Sequence, residues 1–331
     1  MYILGAGASR GAGAVATVQA GGTIPIPTQG DFWDVFLRFS KSARNRKLVE
    51  QFLFRYFYGY SRVPSRSKAS SRRALLATID VEEVFTFLSE RSRAPSTTPQ
   101  LRGYVRRVWS ALVAEVGNVF GRFEANANTR RICRTLLRNQ LRARDVVVSF
   151  NYDCVFEHSI PHARRWAYEG LEDTRHAIRV LKPHGSVGWR LDGDTIVRSD
   201  SLHDAVVVAP THLKFVTTAD HAGPDLRGYL DQAPALTAIW TALEAQMRAA
   251  KALVFIGYSF PIADLYFSSL LRSVLAERGR APRVMIVNPD AVAIAARFES
   301  RFAMSDVARL FDFQQLVGMK RKDVLDLGQG A

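Results

Sequence analysis

An α/β fold built on a Rossmann-like, doubly wound and mostly parallel sheet is the class the sequence predicts, with a basic helical insert between the first and second strands. Three observations lead there. Four short runs, YIL at 2–4, DVVVSF at 145–150, KALVFIG at 251–257 and RVMIVN at 283–288, are almost continuously apolar. Strands covered on both faces read this way, whereas a half-exposed strand alternates. A turn and a helical pattern follow each run, with helices expected over 31–40, 153–160, 262–278 and 290–302. Strand–helix alternation of that kind builds an open parallel sheet. A glycine-rich turn, Gly5-Ala6-Gly7-Ala8-Ser9, follows the first run at once.

Between Asp31 and Asp145 the pattern changes. LVEQFLFRYF, VEEVFTFLSE, LRGYVRRVWSALVAEVGNVF and RRICRTLLRNQL carry apolar residues at helical spacing, with arginine on the remaining face. Two polar stretches, 61–73 and 91–100, read as connecting loops. The expected organisation is therefore an α/β domain of 1–36 and 145–302, a helical module of 37–144, and a C-terminal tail of 303–331. Residues 176–216 read as short and turn-rich, with an Asp-Gly hairpin signal at 192–193.

With 47% hydrophobic residues the 331-residue chain has ample material for a core. No apolar run approaches the roughly 20 residues of a membrane span, and no signal peptide is apparent at the N-terminus. Cys133 and Cys154 stand far apart in no paired spacing, which argues against a disulfide scaffold and a cysteine-rich zinc site. A reducing cytoplasm is the expected location. The net charge of +14 is concentrated: residues 38–144 hold 23 Lys and Arg against 7 Asp and Glu. Such a block marks a surface for an acidic partner, nucleic acid or protein, or else a solvated arginine-rich face. No zinc finger or other nucleic-acid motif accompanies it.

Further stretches carry polar residues to expected strand ends: SFNYD (149–153), KPHGS (182–186), GYSFPIAD (257–264) and VNPD (287–290). Open α/β sheets bind ligands at the carboxyl ends of their strands. The opening glycine turn suits close backbone approach to a pyrophosphate, although it fails as G-x-G-x-x-G because position 10 is Arg; the alternative is a plain tight turn. Asn151 is either a catalytic amide or the cap of a following helix, and His184 either a general base or a satisfied loop histidine. The histidines at 158, 162, 176, 203, 212 and 221 have no metal-ligand spacing, and no metal site is expected.

In their order GAGAS, PTQGDF, FNYD, PHGS, GYSF and VNP, these stretches resemble the sirtuin family, in particular its sirtuin-like branch of bacterial antiphage defence systems. The sequence departs from the protein-deacylating sirtuins in lacking their two zinc-holding Cys-x-x-Cys pairs. It also has Ser149-Phe150-Asn151-Tyr152-Asp153 where they have Thr-Gln-Asn-Ile-Asp. The resemblance implies NAD as substrate, no zinc, and catalysis by Asn151 and His184. It implies contacts to NAD from Gly5, Ala6, Gly7 and Ser9 at the phosphates, from Gln29, Asp31 and Phe32 near the nicotinamide end, and from Asp153, Gly257, Ser259 and Asn288, with Asp290 close by. The implied activity is NAD hydrolysis by an antiphage effector. A protein deacylase and a non-catalytic NAD or ADP-ribose sensor are the alternatives. Because no sensor domain is evident, control is expected from a homo-oligomer or from a protein partner such as a helicase-type ATPase. The basic insert is a candidate docking surface for protein or nucleic acid.

Overall fold

The computed structural model describes residues 1–17, 22–60, 69–160, 166–192, 195–199, 205–208, 216–217, 234–261 and 264–326. The chain divides into two compact units. One comprises Met1–Ile26, Phe123–His184 and Ala235–Ala331; the other comprises Pro27–Arg122 and Gly185–Pro234. Strands among the described residues are β1 (Tyr2–Leu4), β2 (Val15–Thr17), β3 (Thr23–Pro25), β4 (Val146–Ser149), β5 (Trp166–Tyr168), β6 (Ile178–Leu181) and β7 (Gly185–Ser186). They continue with β8 (Trp189–Asp192), β9 (Thr195–Arg198), β10 (Val206–Val208), β11 (Val216–Thr217), β12 (Ala252–Ile256), β13 (Arg283–Val287) and β14 (Ala308–Leu310).

The first unit is built on a seven-stranded sheet in the order β14-β13-β12-β1-β4-β6-β5, parallel at every pairing. This is the Rossmann-like α/β architecture the apolar runs predict. Ile3 at the centre of β1 pairs with Val148 on one side and Phe255 on the other. Every residue of β1, β4 and β12 is buried, as strands with both faces covered require. From β1 the chain proceeds to β4 on one side and later returns to place β12 on the other, so the strand order reverses at β1 and β12. In open α/β sheets that switch point, at the carboxyl ends, is where ligands lie.

Helices Ala127–Asn139, Val155–Ser159, Leu265–Ala276 and Ala291–Phe302 belong to the same unit. Asn126 caps the first of them by accepting from Thr129 N–H at 2.9 Å. That helix buries Ile132, Cys133, Leu136 and Leu137 and leaves its arginines exposed.

In the second unit the helices Phe32–Phe39, Ala43–Tyr58, Ala69–Ala77, Val81–Arg93 and Pro99–Phe120 follow one another. Their core holds Trp33, Phe36, Phe52, Phe54, Phe85 and Trp109, each almost fully buried. The buried Glu115 carboxylate accepts from Lys41 and Ser42 N–H at 2.7 and 3.1 Å and so serves the orphan donors at the start of Ala43–Tyr58. Strands β11, β10 and β7 form a small antiparallel sheet in this unit, and β8 pairs antiparallel with β9. Gly193, Ile262, residues 61–68, His162, His203, His212, His221 and the end of the tail lie outside the described residues. No helix is long and apolar enough to cross a membrane among those described.

Cys133 and Cys154 are both free and buried. Burial pushes the Cys133 thiol up to about 11, and its hydrogen bond with Ser159 opposes this only in part. The thiolate is the reactive form. Neither cysteine is therefore expected to react with iodoacetamide at pH 8 until the protein unfolds; thiol counting by mass spectrometry checks this, and rapid native labelling of either would contradict it.

Candidate active site

Five neighbouring strands of the parallel sheet deliver polar residues to one edge. Gly5 follows β1, Asn151 follows β4, His184 follows β6, Gly257 follows β12 and Asn288 follows β13. Because all five strands run the same way, these residues all stand at carboxyl ends.

At the switch point the turns after β1 and β12 meet backbone to backbone. Gly5 N–H donates to Ile256 O and Gly7 N–H to Gly257 O, each at 3.0 Å. A Cβ on Gly5 would stand 2.6 Å from Gly257 O, and one on Gly257 would stand 2.1 Å from Ala8 N. Gly257 also has φ +59, the left-handed region that favours glycine. The glycines thus let two turns close on each other. Ala6 N–H opens the helix Ala6–Gly11 and has no acceptor within it.

Asn151 is held by a directed chain. Its Nδ2 donates to Gly5 O at 2.9 Å and to Ser9 Oγ at 3.1 Å, and Ser9 Oγ donates in turn to both oxygens of Asp153 at 3.1 Å. With both amide hydrogens engaged, the orientation of the side chain is set. Its Oδ1 has no partner among the described residues and remains as an acceptor for a hydroxyl group. Asp153 also accepts from Val155 N–H at 2.9 Å, which ties it to the start of the next helix. Burial is the main reason its carboxyl is held above the ordinary range, against the pull of Lys182 and the Val155 N–H.

Lys182, fully buried, supports this loop from below. Its Nζ donates to Asp153 O at 2.5 Å and to Glu157 Oε1 at 2.9 Å. Burial presses it toward the neutral form, yet Glu157, Cys154 and Asp153 outweigh that, and its ammonium is held above the usual lysine value. Removing one member of a buried pair strands the other charge, at a cost of about 3–5 kcal/mol. Lys182→Met is expected to lower stability by about that amount. Chemical denaturation of the single variant and of Lys182→Met with Glu157→Leu checks it: recovery in the double variant is the expected result, and an undisturbed single variant would contradict it.

His184 is buried among aromatic rings: Phe150 meets it edge-on at 4.8 Å, with Tyr152 and Trp240 at 6.4 and 6.5 Å. Its Nε2 lies 3.9 Å from Oδ2 of Asp264, a carboxylate only 1% exposed, which also accepts from Tyr258 OH at 2.7 Å. A buried carboxylate at that distance favours the protonated imidazole once a proton arrives.

The remaining expected residues fall in three places. Ser259 is exposed and its carbonyl accepts from Arg297 at 3.3 Å. Asn288 accepts at Oδ1 from Asp290 N–H at 3.0 Å, turning the chain into Ala291–Phe302. Gln29, Asp31 and Phe32 belong to the other unit. There Gln29 donates to Asp80 at 2.5 Å, Asp31 accepts from Thr28 N–H at 2.8 Å, and Phe32 is buried beside Trp33 and Phe36. Lys182 and Asp264 were not foreseen. Lys182 adjoins His184 in the same short motif, and Asp264 closes the GYSFPIAD stretch, but nothing in a lone Lys or Asp signals burial. Among the described residues no group of His, Cys, Asp and Glu could hold a metal ion.

Residues 145–305 match the family model of the SIR2-like domain, a family that uses NAD. The matched segment runs from β4 through β13 and takes in Asn151, Asp153, Lys182, His184, Gly257, Asp264 and Asn288. No curated protein matches the chain.

Proposed function

We propose that the carboxyl edge of the parallel sheet binds NAD and hydrolyses its glycosidic bond, releasing nicotinamide and ADP-ribose. The observation that carries this reading is the convergence of Asn151, Ser9, Asp153 and His184, all buried, at the carboxyl edge of a sheet five of whose seven strands lie in the segment that matches a SIR2-like domain. Buried polar groups are costly unless they serve one another or a ligand, and here Asn151 Oδ1 is an acceptor that its neighbours among the described residues leave unused.

Nicotinamide carries a positive charge while it is bound to the ribose, so it departs as a neutral molecule with the electron pair of the C–N bond. The ribose carbon left behind is oxocarbenium-like and takes a water. Asn151 Oδ1 accepts a hydrogen bond from that water or a ribose hydroxyl, and orientation of this kind lowers the barrier without any change in charge. His184 accepts the proton the water loses, and Asp264 stabilises the resulting imidazolium. The turns after β1 and β12 supply small residues and the Ala6 N–H beside the phosphates. Ser259 and Asn288 complete the contacts to the dinucleotide.

The ordered motifs that resemble the defence branch of the sirtuins support a role as a cytoplasmic antiphage effector that depletes NAD. Such an activity needs restraint, supplied by self-association or by a protein partner such as a helicase-type ATPase. A deacylase would use the same bond cleavage but would need an acyl-lysine peptide as nucleophile. Incubating the full chain with NAD, with and without such a peptide, separates the two. Nicotinamide release that ignores the peptide is expected, and release only in its presence would overturn the hydrolase reading.

A further inference from the structure

A second concave site lies at the other end of the sheet. It is a groove of about 1180 Å³ lined by Arg130, Arg131, Arg134 and Arg138 of the helix Ala127–Asn139, by Arg142 just past it, and by His176. Among the described residues the rest of the lining is small or aliphatic apart from the Thr135 hydroxyl, and it includes no carboxylate. Arg142 precedes β4 and Ile178 opens β6, so the groove stands at the amino ends of strands whose carboxyl ends lead to Asn151 and His184.

An ordinary solvated helix face interleaves charges of both signs. From Ala127 to Arg142 there are five arginines and no acidic residue. Arg130, Arg134, Arg138 and Arg142 recur every fourth residue, an arrangement in which like charges repel by a few tenths of a kcal/mol per pair. Two carboxylates close in sequence to Arg142 and His176 are engaged elsewhere: Asp145 binds Arg321 at 3.0 Å and Asp173 binds Arg175 at 2.7 Å. Arg142 donates to Arg138 O at 3.2 Å and Leu141 O at 2.8 Å, both backbone carbonyls that leave its charge uncompensated. An anion seated in the groove relieves this repulsion.

Four residues of helix rise about 6 Å, a repeat comparable to the separation of neighbouring phosphates along a nucleic-acid strand. The cations are all Arg, whose planar fork matches a phosphate in two hydrogen bonds. Among the described lining residues His176 carries the one aromatic ring, so the groove offers no run of rings on which successive unpaired bases stack as in single-strand binders. The Thr135 hydroxyl is spent on Arg131 O at 2.8 Å. We propose that this groove binds the phosphate backbone of duplex DNA without reading its sequence. The site is independent of the NAD reading.

The test is fluorescence anisotropy of the full chain with a short labelled duplex of mixed sequence, over a series of salt concentrations. The logarithm of the affinity is expected to fall linearly with the logarithm of salt, by about 0.9 per phosphate neutralised. Arg134→Glu with Arg138→Glu changes only exposed positions. The double variant is expected to lose on the order of tenfold or more in affinity and about two in salt slope, with melting temperature and nicotinamide release unchanged. Equal duplex affinity in the wild type and the double variant would overturn the proposal. So would tighter binding of the matching single strand, or of poly-glutamate, which would assign the groove to an acidic protein.

Discussion

Alanine at His184 is expected to lower nicotinamide release from NAD by about 10²–10⁴-fold, the range for removal of a general base. His184 is a buried imidazole at this edge, and the Asp264 carboxylate at 3.9 Å stands ready to stabilise its charged form. Asn151→Ala removes the unused Oδ1 acceptor and is expected to cost about 10²–10³-fold, as loss of one preorganised polar contact does. Asn151 also tethers Gly5 and Ser9, so this variant loses stability by about 1–2 kcal/mol as well. The rate and the melting temperature together separate the roles. A purely structural Asn151 would lower stability while leaving the rate of the folded fraction intact. For His184 the acid limb of the pH–rate profile reports the imidazole, and in His184→Ala any residual activity is expected to lack that limb. Retention of more than a tenth of wild-type turnover in His184→Ala would remove histidine from the mechanism.

A large effect on the fold is also expected at Gly257. Its Cβ would lie 2.1 Å from Ala8 N and 2.2 Å from Gly7 C, both backbone atoms that cannot rotate away. Overpacking of this kind costs about 1–3 kcal/mol, and the left-handed φ adds about 1–2 kcal/mol. Gly257→Ala is therefore expected to destabilise the protein by about 2–5 kcal/mol and to part the turns after β1 and β12. Gly59 provides the comparison. It has φ +68 but nothing within 4 Å of its Cβ position, so Gly59→Ala is expected to cost only the backbone contribution of about 1–2 kcal/mol. Urea denaturation of the two variants reads the difference, and equal losses would mean that the turns do not depend on their close approach.

The four runs that gave the fold class lie at the centre of the sheet, where burial on both faces forces continuous apolar sequence; their observed bounds shift by one residue at most from those expected. The strands that escaped notice are shorter or peripheral. β5, at an edge, is only the three residues WAY, too short to stand out, and β6 is IRVL with a half-exposed arginine, so it was absorbed into the turn-rich stretch 176–216. β14 pairs with β13 in the stretch read as a tail, and its residues are intermediate or exposed. At the candidate site, motif order brought Asn151, His184 and the glycine turns to attention. Their contacts were not legible, because Ser9 and Asp153 meet across 144 residues of sequence. Gly5 and Gly7 read as room for a ligand, whereas the structure shows that their missing Cβ atoms make room for Gly257. Lys182 and Asp264 became visible only through burial, which sequence spacing does not report for a single charged residue.

The most direct measurement is chromatography of the full chain incubated with NAD alone over a range of protein concentrations, with nicotinamide and ADP-ribose quantified together. Their appearance in equal amounts, lost in His184→Ala and Asn151→Ala, is the expected result. NAD that binds but remains intact at every concentration would contradict a hydrolase assembled by this chain's own residues.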